Sequence, residues 1–109
     1  MPDDLRIAYE LADYKQHQAI AIRFAPLGNL SGRYLVSERI VEINSSLRNQ
    51  DDRVLAGIIA HELHHSNGFI HDCADGLKDF NKNGAWEIHA LTLDRLNVEH
   101  SIREHQFCF

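Results

Sequence analysis

The stretch Arg53-Val-Leu-Ala-Gly-Ile-Ile-Ala-His-Glu-Leu-His-His65 decides how this chain is read. From Val54 to Ala60 it carries no polar side chain. Wound at about 100° per residue, Val54, Leu55, Ala56, Ile58, Ile59 and Leu63 cover more than half of a helix circumference, and Gly57 and Ala60 fill much of the rest. A helix apolar nearly all round belongs in the middle of a domain, so this segment is expected at the centre with other elements packed on it. The polar run before it, residues 45–52, ends in Asp51 and Asp52, which suits a helix start. After it, Ser66-Asn67-Gly68 supplies a stop, because Gly68 can take the left-handed conformation that ends helices.

Upstream, Pro2, Asp3 and Asp4 suit a first helical turn, and Leu5, Ala8, Tyr9 and Ala12 recur at helical spacing. Residues 3–16 are therefore expected to form an amphipathic helix. Residues 19–24, Ala-Ile-Ala-Ile-Arg-Phe, place Ile20, Ile22 and Phe24 on one side, as a strand does. Residues 26–32 hold Pro, Gly, Asn and Ser and read as a loop. Residues 33–37 and 39–44 read as two more strands, joined tightly around Ser37 and Glu38. Downstream, residues 69–84 form a long connection rich in Asp, Asn and Gly, of the kind that often carries function. Helical pattern returns over 85–104, and residues 105–109 are a tail. The expected fold class is α+β. A single domain over residues 1–109 is expected, with an N-terminal helix, a small, mostly antiparallel sheet, a central helix and a C-terminal helix.

A length of 109 residues suits one domain, and 44% hydrophobic with 25% charged residues suits a globular one. The formal net charge of -5 speaks against a nucleic-acid surface, which needs a surplus of Lys and Arg. No apolar run approaches membrane-span length, so no membrane partner is expected. The acidic opening Met-Pro-Asp-Asp shows no secretory signal, so a cytoplasmic location is expected. Cys73 and Cys108 are too few for a disulfide scaffold. The unusual count is histidine, 8 in all, at positions 17, 61, 64, 65, 71, 89, 100 and 105. Histidine serves metals and proton transfer near neutral pH better than any other side chain.

Residues 61–65, His-Glu-Leu-His-His, contain H-E-x-x-H on the central helix. This composition yields about 0.04 such matches by chance, so the spacing calls for a chemical reason. Four residues apart, His61 and His65 share one helical face and can reach one Zn²⁺. Glu62 lies about 100° round the helix, beside that metal but off its ligand face, where it can move a proton as general base. His64 falls on the opposite flank from Glu62 and is not a first-choice ligand. Read as plain core residues, Glu62 and two histidines beside an apolar turn would cost several kcal/mol unless paired. A metal and a water satisfy all three.

A catalytic zinc needs a third protein ligand and an open position. The first candidate is Glu87, which shares a helical face with Leu91, Asp94 and Val98. An acid on that largely apolar face is expected to point inward, toward a cation. Asp94 could then hold the ring of a ligand histidine. The alternative is His71, because residues 61–71 match H-E-x-x-H-x-x-G-x-x-H in every fixed position. His89, His100 and His105 read as solvated surface, and Trp86, Leu93, Leu96, Ile102 and Phe107 as core or interface. Cys108 could reach the metal as an inhibitory thiolate.

On these residues the chain resembles the zincin metallopeptidases. A helix, a small sheet, an H-E-x-x-H helix and a later helix bearing Glu87 resemble the gluzincins, above all their small single-domain members. The stretch ending in His71 is similar to the metzincins, although the methionine turn of that group has no counterpart here, Met1 being the sole Met. The resemblance implies zinc-dependent hydrolysis of peptide bonds, with a peptide or protein substrate lying extended along residues 33–37 or 39–44. The alternative is a catalytically inactive or latent zinc-binding domain that acts as a regulatory or partner-binding module. The pattern is silent on oligomeric state.

Overall fold

A computed structural model describes residues 2–11, 21–35, 37–66 and 84–102. The expectations for residues 12–20, for the stop at Gly68, for the 69–83 connection with His71 and Cys73, and for the tail with His105 and Cys108 fall outside these residues. The elements run α1 (Pro2–Leu11), β1 (Ala21–Ala25), β2 (Gly32–Leu35), β3 (Ile40–Asn44), a 3-10 turn (Ser45–Leu47), α2 (Asp52–Ser66) and α3 (Gly84–Arg95). The α+β class and the order of elements are as expected. The sheet, however, is mixed. Its order is β1-β3-β2, with β3 antiparallel to β2 but parallel to β1. The β2–β3 link is a tight hairpin, and Arg39 takes the left-handed conformation (φ 55°) that closes it. With β2 filling one side of β3, β1 lies along the other.

The apolar run over 53–65 forms α2 and sits in the centre. Leu55, Ala56, Ile58, Ile59, Ala60 and Leu63 pack with Val41 and Ile43 of β3 and with Ala8 of α1. Helix α2 is capped by Asp51, whose Oδ1 accepts the Arg53 backbone N–H at 2.8 Å while its carbonyl accepts from Val54. That is the capping arrangement short acidic side chains favour. Two guanidinium contacts from Arg53 hold the same carboxyl at a pKa of about 2.

On strand β3, Glu42 is buried although it alternates away from Val41 and Ile43. The register explains it, because Glu42 lies opposite Arg23 on β1 and Arg33 on β2. Both arginines bond its carboxylate, Arg23 at 2.7 Å, and hold its pKa below the usual carboxylate range. Buried charge is tolerated where it is paired on all sides.

Helix α3 ends earlier than its pattern predicts, and Asn97 is the cause. It takes a left-handed conformation (φ 61°), with Val98 N–H bonding the Leu93 carbonyl at 2.9 Å and Asn97 N–H the Asp94 carbonyl at 3.1 Å. This is a Schellman stop, with Asn in the position Gly usually takes. Helices α2 and α3 meet at Gly57, where a Cβ would stand 2.8 Å from His89 Cδ2 and 2.8 Å from Leu93 Cδ2. Alanine is the better helix former by about 1 kcal/mol, but crowding a packed contact costs about 1–3 kcal/mol. Gly57→Ala is therefore expected to lower the thermal midpoint; a raised midpoint would show that the two helices stand further apart than described.

Candidate metal centre

Helix α2 carries His61, Glu62, His64 and His65 at its C-terminal end. His61 and His65 come together as their spacing requires, with ring centroids 5.0 Å apart and planes at 63°. Two imidazoles on one tetrahedral ion, each at a Zn–N distance of roughly 2.0–2.1 Å, place their centroids about 5 Å apart. The spacing of the pair is the one such an ion would require. His64 is turned aside, against the start of α3, with its Nε2 2.8 Å from where a Cβ on Gly84 would be.

Glu62 is 7% exposed. Burial pushes its pKa up to about 7. It faces the sheet at Gly32, whose missing Cβ would stand 3.4 Å from Glu62 Cγ and 2.8 Å from Ile58 Cγ2. Any side chain at position 32 would lift α2 off β2 beside this carboxylate. A carboxyl half-ionised near neutral pH is matched to taking a proton and returning it.

Glu87 lies in the first turn of α3 and is half-buried. Among the described residues, no three His, Cys, Asp or Glu side chains form a group that could hold a metal ion. His71 lies outside those residues. The face that Glu87 shares with Leu91 and Asp94 does not point inward along its length: Leu91 is 36% exposed and Asp94 is exposed too. The buried stripe of α3 is instead Ala85, His89, Ala90, Thr92 and Leu93. Asp94, expected to hold the ring of a ligand histidine, has its Oδ1 2.7 Å from Nε2 of His100. The Schellman stop folds the chain back and makes that contact.

Two residues read as surface or core stand at the site. His89, expected in solvent, is 9% exposed, and its Nδ1 lies 3.3 Å from His61 Nδ1. Burial, and secondarily the charge of His100, push its pKa down to about 4, so His89 is neutral at physiological pH. Trp86 meets His61 edge-on at 4.4 Å between centroids and stacks on His89 with planes 7° apart. The signal for His89 was present in the sequence. Ala85, His89 and Leu93 recur every four residues, which puts His89 on an apolar stripe.

Compared with known proteins, the chain matches no family model and no curated protein sequence. Among solved structures it is similar to the metallopeptidase zymogen abylysin of Pyrococcus abyssi, at 17% identity and a TM-score of 0.53. The likeness covers 92% of this chain and 98% of that one. The chain thus shares the overall fold of a metallopeptidase. No helix among the described residues is long and apolar enough to cross a membrane.

Proposed function

We propose that this chain is a zinc metallopeptidase of the H-E-x-x-H type, with His61 and His65 holding the ion and Glu62 as general base. The observation that carries this reading is a buried carboxyl, Glu62, on the same helix turn as two imidazoles whose ring centroids lie 5.0 Å apart. The likeness in fold to a metallopeptidase zymogen supports it. Glu87 is proposed as third ligand, with His71 the alternative. Zinc, when bound, supplies Lewis-acid activation of water and of the scissile carbonyl. Glu62 takes the proton of the attacking water and delivers it to the leaving amine. An extended substrate would pair with an exposed sheet edge. Strand β3 is paired on both sides, which removes residues 39–44 as that edge. Among the described residues, strand β2 is paired on one side only, and Gly32 at its start abuts Glu62.

The test is peptide-library cleavage by the zinc-loaded chain. Cleavage is expected, to be abolished by chelation, by His65→Ala with loss of zinc, and by Glu62→Gln with zinc retained. The general-base contribution predicts a loss of about 10²–10⁴-fold for Glu62→Gln. Zinc binding without cleavage would favour the inactive or latent binding module, and failure to bind zinc would end both readings. The similarity to a zymogen gives latency a concrete form: removal of residues 105–109 would then raise activity.

A further inference from the structure

His61 has two ring nitrogens, and a neutral imidazole carries one N–H and one lone pair. Where two such nitrogens face each other, one must donate and the other accept. Here His61 Nδ1 and His89 Nδ1 are 3.3 Å apart, with the rings nearly perpendicular at 88°. His89 has little freedom to turn away. Trp86 stacks along its ring, and the backbone at Gly57 approaches its Cδ2 so closely that a Cβ would overlap. Metal-bound histidines are commonly oriented by an acceptor on the second nitrogen, usually a carboxylate or backbone carbonyl. Asp94, the acid the sequence offers for that purpose, is engaged with His100.

We propose that His89 is the positioning residue of the metal site: its Nδ1 accepts the His61 Nδ1 proton, fixing the tautomer that leaves the Nε2 lone pair available to hold an ion. This rests on the reading of His61 as a zinc ligand. The direction of the bond follows from it, since a metal on Nε2 leaves the proton of a neutral ring on Nδ1. The proton of His89 then lies on its Nε2. An imidazole in this place accepts the proton as a carboxylate would, without adding a negative charge.

The tautomer is read directly by long-range ¹H–¹⁵N spectra of the metal-free full chain with labelled histidine. His61 is expected to carry its proton on Nδ1; a proton on Nε2 overturns the proposal without any variant. Zinc affinity is then measured by competition with a chromophoric chelator. His89→Leu is expected to weaken zinc binding by roughly 10–100-fold, the usual effect of losing such a partner. His89→Gln, whose amide oxygen can accept the same proton, should recover most of it. Unchanged affinity in His89→Leu overturns the proposal. So does a loss as large as that of His65→Ala, which would make His89 a ligand. Wild-type chain that takes up no zinc defeats the metallopeptidase reading, while the spectrum still decides the His61–His89 bond.

Discussion

Glu62→Gln is expected to make the metal-free protein more stable, and only at neutral and alkaline pH. Burial raises the Glu62 pKa from 4.5 to about 7. In the unfolded chain the carboxyl ionises freely above its ordinary value. In the folded chain the charge must form inside the protein. Stability is therefore fully present below about pH 4.5 and is lost as pH rises through about 7. A shift of that size corresponds to about 3 kcal/mol, at 1.36 kcal/mol per pKa unit. Glutamine has the same shape and no charge to form. Denaturant titrations with a chelator present should show the variant ahead by about 3 kcal/mol at pH 8 and level with wild type near pH 4. A gap independent of pH would mean that Glu62 ionises in contact with water and is not the poised base proposed. The same substitution costs the activity described above, so one residue trades stability for chemistry.

Ile59→Ala is expected to cost about 2–5 kcal/mol, the range for emptying a packed aliphatic site. Ile59 is fully buried in the cluster that joins α2 to Val41 and Ile43 of β3 and to Ala8 of α1. For a domain whose total stability is about 5–15 kcal/mol, that loss brings the variant close to unfolding. Urea midpoints of both proteins at one fixed pH, where the Glu62 contribution is common to them, isolate the packing effect. Leu30→Ala is the control: Leu30 is 52% exposed, and its replacement should fall within about 0.5 kcal/mol of wild type. A cost for Ile59→Ala as small as that of the control would show that α2 is not the centre of the core.

Some of the site could be read before any fold was known. His61 and His65 meet because residues four apart on a helix always share a face. Glu62 is buried because its helix is apolar nearly all round, so its raised pKa follows from the same run that predicted a central helix. His89 was harder. Alanine, histidine and leucine at four-residue intervals place it on one stripe, but a lone histidine on a stripe does not say which neighbour it meets. Its partner is 28 residues away.

The sequence by itself determined the elements whose logic is local: the apolar central helix, the alternating strands and the pairing of imidazoles on one turn. Such features depend on spacings of two to four residues, which backbone geometry converts directly into shared faces. Tertiary structure alone decided the parallel pairing of β1 with β3, the burial of Glu42 between Arg23 and Arg33, and the contact of His89 and Trp86 with His61. Each of these joins residues with no local relation, and only the meeting of whole surfaces brings them within bonding distance.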